Sequence, residues 1–306
     1  MLKKLKGMLE MEKEKTKMEN LLQRDIDYSF VITVPEGETI EPMYDELSFD
    51  YKIKKLDFTP ACDMASSATY NPFCYIKNEW DVRKLAACIM KNTVDKKTAG
   101  DSFLDESSQI LFESIVFYLI YKLPEEQRTF STVIRLLKEM NPKDGKFLLE
   151  LDRLFSEFAK NNSGHMAISA WANFRQLEPL MIKETIISLI DRLNIFDLPE
   201  VKRLTSTNTL EFETVGTETT ALFVCTGDSD SSMKLLTAIL YTQMFNVLFK
   251  MADNDYTEQG KKLPVHVRFL LGELENIGEI PELKELLLTA RSREISAVIK
   301  SKQCFC

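Results

Sequence analysis

The sequence predicts an α/β protein: a mostly parallel β-sheet flanked by helices, with an all-α segment inserted between its strands. Three observations predict it. Short apolar runs rich in β-branched and aromatic residues recur at 28–33, 51–58, 220–225 and 265–271, and stretches of helical periodicity separate them. The last run, with Val265, Val267, Phe269, Leu270 and Leu271 around a single Arg268, is apolar on both faces, as a central strand of a parallel sheet must be. Residues 101–196, by contrast, carry helical periodicity throughout.

Taken in order, residues 1–24 are rich in Lys, Glu and Met without proline, and predict a charged helix. A strand follows at 28–33, then Val34-Pro35-Glu36-Gly37-Glu38 and a helix at 43–47. The second strand, 51–58, alternates so that Ile53 turns inward. In Tyr70-Asn71-Pro72-Phe73 the proline excludes Asn71 from the helical region and marks a turn. Residues 80–90 form an amphipathic helix, with Val82, Leu85, Ala86, Ile89 and Met90 on one face. A linker at 92–101 leads to helices at 103–123, 129–140, 148–160, 166–177 and 181–196, whose Leu and aromatic stripes predict core; Pro124 breaks the first from the second. The α/β pattern returns at Val201. A buried strand at 220–225 is followed by a loop in which Asp228 and Asp230 suit a helix N-cap better than a metal site. A long helix at 233–252, a polar loop, the strand at 265–271, a helix ending at Ala290 and a strand at 295–299 complete the chain.

Composition narrows the class. With 306 residues the chain is one α/β domain with an insertion or two small domains. Its 44% hydrophobic and 28% charged residues are ordinary for a globular protein. A net charge of -8 argues against a free-standing nucleic-acid binder, though not against a locally basic channel. Six cysteines lack metal-type pairing and are expected to be buried thiols in a reducing compartment. The two histidines, His266 in a strand and His165 in an exposed loop, complete no zinc or nucleophile set. No secretory signal is legible, and no apolar run approaches the roughly 20 residues that span a bilayer.

Several strings are more specific than periodicity. They are Asn20-Leu21-Leu22-Gln23, Thr33 to Glu38, Tyr70 to Phe73, D-S-F-L-D-E-S-S-Q-I-L-F from Asp101, Tyr241-Thr242-Gln243, G-E-L-E-N-I-G-E-I-P from Gly272 and A-R-S-R-E-I-S from Ala290. Together they resemble the type IV secretion coupling proteins, the TraG/TraD family of conjugative DNA-transfer ATPases, from about Asn20 to Val298. The resemblance implies a P-loop NTPase fold of the RecA/FtsK-like kind with an inserted all-α domain. It divides the chain into a charged segment 1–19 replacing the phosphate-loop region, a first α/β part 20–100, the all-α domain 101–196, and a second α/β part 197–306, truncated at its end. It implies ATP and Mg2+ as cofactors, and type IV secretion and relaxosome proteins and DNA as partners. It also implies a hexameric ring on the cytoplasmic face of the bacterial inner membrane. The family's N-terminal membrane helices have no counterpart in this sequence.

The resemblance also assigns roles, and here the chain departs from the pattern. The family ends its central strand in Asp-Glu: the Asp orders the magnesium shell and the Glu polarises the attacking water. Glu273 keeps the second place; Gly272 stands in the first. Arg291 and Arg293 are the candidates for an arginine that crosses to a neighbouring subunit. Val34 replaces an Asp, Glu36 a Lys and Leu104 a Trp. A phosphate loop needs G-x-x-x-x-G-K-[ST], so that backbone N–H groups and a lysine face the phosphates. No such string occurs: Gly145-Lys146 is followed by Phe147, and Gly260-Lys261 by Lys262. Losing one electrostatic donor commonly costs about a hundred- to a thousandfold in rate; losing loop, lysine and Asp together predicts no hydrolysis by this chain alone. The expectation is a truncated, degenerate coupling protein. The alternative is a non-catalytic module recruiting relaxosome proteins or DNA through the all-α domain. An unrelated small-molecule enzyme would need an acid/base pair that the sequence does not offer.

Overall fold

The computed structural model describes residues 28–35, 43–44, 47–59, 66–93, 102–140, 149–227, 233–273 and 277–300. The expected helix at 1–24, the Asp228/Asp230 cap, Cys62, Glu275, Asn276 and residues 301–306 lie outside them. Five strands, β1 (Tyr28–Pro35), β2 (Lys52–Asp57), β3 (Thr220–Thr226), β4 (His266–Glu273) and β5 (Ile295–Lys300), form one sheet in the order β2-β3-β1-β4-β5. Every pairing is parallel. The middle of these five strands is β1, and β4 lies beside it.

Register follows from burial on both faces. Phe30, Ile32 and Val34 of β1 pack with Ala221, Phe223 and Cys225 of β3, Leu270 of β4 and Leu47 and Tyr51 on one face. The intervening Val31, Leu222, Val224, Val267, Phe269 and Leu271 face the opposite layer. Ile53 packs against the first of these groups, so β2 has the expected facing.

Beyond the second face, in the same core as its side chains, lies α1 (Glu79–Asn92), which starts in a reciprocal cap: Asn78 accepts from the Asp81 N–H, and Asp81 accepts from the Asn78 N–H. The inserted segment contains α2 (Ser102–Lys122), α3 (Phe130–Glu139), α4 (Leu149–Ala159), α5 (Met166–Arg175) and α6 (Pro179–Arg192). Two short helices, α7 (Pro199–Ser206) and α8 (Phe212–Thr217), then lead into β3. Helix α9 (Met233–Lys250) is apolar nearly all round and correspondingly buried, and a π-helical turn, Met251–Asp255, extends it. By length and hydropathy Met233–Asp255 is able to cross a bilayer, contrary to the sequence expectation; 78% of its most apolar window is buried inside the fold, as in a core helix. Helix α10 (Leu283–Ala290) precedes β5.

One hydrophobic core runs without a break from Val267 and Phe269 of the sheet, through α1 and α9, into Phe112, Phe130, Phe155 and Trp171 of the inserted helices. At the seam, the buried Arg192 guanidinium donates to the Met90 and Thr93 carbonyls at the end of α1, at 3.5 and 3.3 Å, and pairs with Asp105 of α2. A cation is well placed at a helix C-terminus.

Two further sequence expectations need correction. His165 is not exposed: it is half-buried, its Nδ1 accepts from the Ala167 N–H at 3.0 Å, and Tyr121 and Phe158 pack edge-on to its ring. The Asn-Asn-Ser-Gly before it suggested a solvated loop, but the imidazole caps α5. Among the described cysteines Cys88 and Cys225 are buried, whereas Cys74 is exposed. Burial pushes the Cys88 thiol up to about 12, so it behaves as an inert apolar group.

Candidate functional site

In a parallel sheet the loops that bind ligands leave the carboxyl ends of the strands. Here that edge gathers Thr33 and Pro35 of β1, Asp57 of β2, Thr226 of β3, and Gly272 and Glu273 of β4. Thr33 Oγ1 shares a 2.6 Å hydrogen bond with the Tyr241 hydroxyl of α9, which anchors the end of β1 to the helix beneath. Burial holds the Tyr241 phenol well above its ordinary range, so it stays protonated. Asp57 is spent locally: it accepts from the N–H and hydroxyl of Thr59, at 2.9 and 2.7 Å, and pairs with Lys55. Thr226 Oγ1 has no hydrogen-bond partner although buried, alone in this respect among the described residues.

Gly272 lies where β4 slips against β5. Leu271 pairs with Ile299 and Glu273 with Lys300, leaving Gly272 as the extra residue of a bulge. A Cβ built on Gly272 would rest 3.6 Å from the Thr33 carbonyl oxygen and 3.7 Å from Thr33 Cβ, ordinary contact distances. The backbone therefore admits a Cβ at a position where the sequence supplies none.

The loop beyond β4 shows what the rest of the motif does. Gly278 has φ +79, and a Cβ there would fall 2.7 Å from both the Lys234 carbonyl and Asn92 Oδ1. Only glycine fits. Next to it, Glu279 and Asn92 bond in both directions: the Glu279 N–H donates to Oδ1 at 2.7 Å, and Nδ2 donates to the Glu279 carbonyl at 2.8 Å. Ile277 is fully buried between these contacts. Ile277, Gly278 and Glu279 thus clamp the post-β4 loop onto α1 and α9.

The two candidate arginines differ in environment. Arg293 forms a forked pair with Asp253, at 3.0 and 2.9 Å, donates to the Thr289 carbonyl and lies over the Phe249 ring. It fastens the end of α10 to the π-helical turn. Arg291 is exposed and has no carboxylate partner among the described residues. Glu273 closes β4, paired in register with Lys300.

Sequence reasoning passed over one set of interactions. Gln243 donates to the Pro72 carbonyl at 3.0 Å and accepts from the Tyr70 hydroxyl, while Thr242 donates to Cys88 Sγ at 3.5 Å. With Tyr241 on Thr33, the Tyr-Thr-Gln string joins α9 to β1, α1 and the Tyr-Asn-Pro-Phe turn. The sequence marked the string as part of the family resemblance, but the only hint of these bonds was a row of polar groups within an otherwise apolar helix.

The donor set does not fit a resident Mg-ATP. A phosphate site requires a loop of backbone N–H groups with a lysine, and a carboxylate for the magnesium shell. The sequence holds no such loop, and at the position that the resemblance matches to the carboxylate it has Gly272. Among the described residues, no cluster of His, Cys, Asp and Glu is suited to a metal ion.

Solved structures with the same fold include the plasmid coupling protein TrwB in complex with ADP and Mg2+, at 15% identity and a TM-score of 0.55, and the bacterial conjugative coupling protein TrwBdeltaN70 in an unbound form, at 14% and 0.58. Each match covers 92% of this chain but only 57% and 56% of the other, so the chain spans less than two thirds of their length. No curated protein matches it. The five parallel strands, the helices on their faces and these neighbours define an α/β protein of the P-loop NTPase fold. More narrowly, the profile of the type IV secretory system conjugative DNA transfer family matches residues 17–299, and the chain belongs to that family.

Proposed function

We propose that this chain keeps the architecture of a conjugative coupling protein without, by itself, its nucleotide chemistry. The observation that carries the proposal is Gly272: it occupies the end of β4 against Thr33, with room for a side chain, at the place where the family resemblance puts the magnesium-ordering carboxylate. The absence of a phosphate-loop string points the same way. Glu273 and Arg291 are the remaining candidates for polarising water and for crossing to a neighbouring subunit in a family-type ring. Each needs a bound phosphate to act upon, and this chain offers none a cradle. The test is phosphate release from magnesium-ATP by the purified chain and by Gly272→Asp. Both should remain at the no-enzyme background. Turnover by the natural chain that disappears in Glu273→Gln would overturn the proposal.

A second reading has one observation in its favour: the described inserted helices share one core with the sheet layer, and Arg192, paired with Asp105, anchors them to the Met90 and Thr93 carbonyls. A helical lobe so held can dock relaxosome proteins or DNA without hydrolysing anything. Co-purification of relaxosome proteins with the natural chain, lost when exposed residues of α6 such as Leu180 and Ile187 are changed to Lys, would support it.

A further inference from the structure

Ser296, His266 and Glu294 form a hydrogen-bonded chain at the start of β4 and β5. The sequence sets His266 apart from the other two, and the strand register brings them together: Val267 pairs with Ile295 and Arg268 with Ser296. His266 Nε2 lies 2.8 Å from Ser296 Oγ, and Nδ1 lies 3.0 Å from one Glu294 carboxylate oxygen. The Lys262 ammonium donates to the other oxygen at 2.8 Å. The bonds to His266 and Lys262 hold the Glu294 carboxyl below its ordinary range, so it is an ionised acceptor. In the neutral imidazole the proton therefore sits on Nδ1, and the Nε2 lone pair accepts from the Ser296 hydroxyl.

The surroundings suit the chain to more than fastening two strands. The Tyr28 ring stacks on the imidazole, with centroids 4.4 Å apart, and fixes its plane. Glu294 holds a left-handed backbone at φ +61, a conformation that costs energy for a residue with a side chain and gathers at functional sites. The His266 side chain is only 15% exposed, whereas Ser296 is half-buried on the last strand of the described sheet. The Val267 N–H donates to the Glu294 carbonyl at 2.9 Å. Alternation along the strand then turns Ser296 toward β4 and the Ala297 N–H away from it. An N–H on the residue after a nucleophilic serine is where α/β hydrolases place an oxyanion donor. Arg268, the register partner of Ser296, adds a cation on the same face.

We propose that Ser296 is an activated nucleophile that hydrolyses carboxylic esters, with His266 as general base and Glu294 as the residue that positions it. A serine, a histidine and a carboxylate in this order of bonding are recognised by geometry and not by place in the chain. As Ser296 Oγ bonds to the acyl carbon, its proton passes to His266 Nε2, and the alkoxide leaves with that proton. Water then attacks the acyl-serine, its proton returns through Nε2 to Oγ, and the carboxylic acid departs. No other reactant is needed. The site uses neither nucleotide nor magnesium, so it stands or falls apart from the proposal on Gly272.

The test is covalent labelling of the natural chain with a fluorophosphonate, in which Oγ displaces fluoride from phosphorus, followed by peptide mass mapping. One phosphonyl group should appear on Ser296. His266→Gln should slow the labelling about a hundredfold or more, the usual contribution of a general base. With p-nitrophenyl acetate the natural chain should turn over and Ser296→Ala should fall to the no-enzyme background. Glu294→Gln should lower kcat and leave KM unchanged, a split that a merely structural role would not produce. Unchanged thermal unfolding checks that each variant folds, and labelling of the natural chain needs no variant at all. An unlabelled Ser296, a label confined to other residues, a labelling rate indifferent to His266→Gln, or equal ester turnover by Ser296→Ala would each overturn the proposal and leave the three side chains as a fastening between β4 and β5.

Discussion

Gly272 and Gly278 flank the same loop and tolerate a side chain to opposite degrees. At Gly272 a Cβ meets only Thr33 at ordinary distances; at Gly278 it would strike the Lys234 carbonyl with the backbone already at φ +79. Gly272→Asp should therefore change stability by less than about 1 kcal/mol, whereas Gly278→Ala should cost at least about 2 kcal/mol. Urea unfolding of the two variants side by side checks both. Asp81 gives a pH prediction. Burial works to raise its carboxyl, but the Lys250 ammonium, the Lys77 N–H and the Asn246 amide outweigh it and hold the group below its ordinary value. A carboxyl depressed in the fold stabilises above its unfolded value, near about 4, and that contribution is lost as pH falls through the folded value. Asp81→Asn should accordingly cost about 2 kcal/mol at pH 7 and distinctly less near pH 3, measured by the same unfolding. The sequence showed Gly272 as a departure, because the strings around it are specific. It could not show that Gly278 is sterically fixed or that His165 caps a helix, since both depend on what lies across the fold.

Among the elements, α9 carries the most cross-links. Tyr241→Phe removes the partner of the buried Thr33 hydroxyl and should cost about 1–2 kcal/mol; Gln243→Leu strands both the Tyr70 hydroxyl and the Pro72 carbonyl and should cost more. Thermal unfolding ranks the two. Neither change touches a residue that the family resemblance makes catalytic, so a stability loss is the expected readout. Strands were legible here because burial on both faces leaves near-continuous apolar runs, as in Thr220 to Cys225. Long helices were legible through their period. The short α7 and α8 were not, although Pro199 at the first position of α7 is a helix-start signal. Helix α8 has only six residues, and Gly216 within it is there for packing: a Cβ would press on Leu248 and Leu263 at 3.2 Å. Periodicity over so short a span says nothing about that.

At the scale of the whole molecule, the inserted helices and the sheet share one hydrophobic core, with the Arg192 pair at the seam. The described part of the chain should therefore unfold in a single transition by calorimetry and by circular dichroism alike, and a separately melting helical lobe would show that the seam is weaker than its contacts. Arg192→Met, which leaves Asp105 and two α1 carbonyls without their donor, should lower the midpoint without splitting the transition. Sequence boundaries at 101 and 196 mark where helical periodicity begins and ends; a shared core is a property of the folded chain and leaves no local trace. The central proposal is that this chain by itself binds no nucleotide, and calorimetric titration with magnesium-ATP tests it most directly. The account predicts no detectable binding at millimolar nucleotide. Saturable heat with a micromolar dissociation constant, abolished when magnesium is removed, would contradict it.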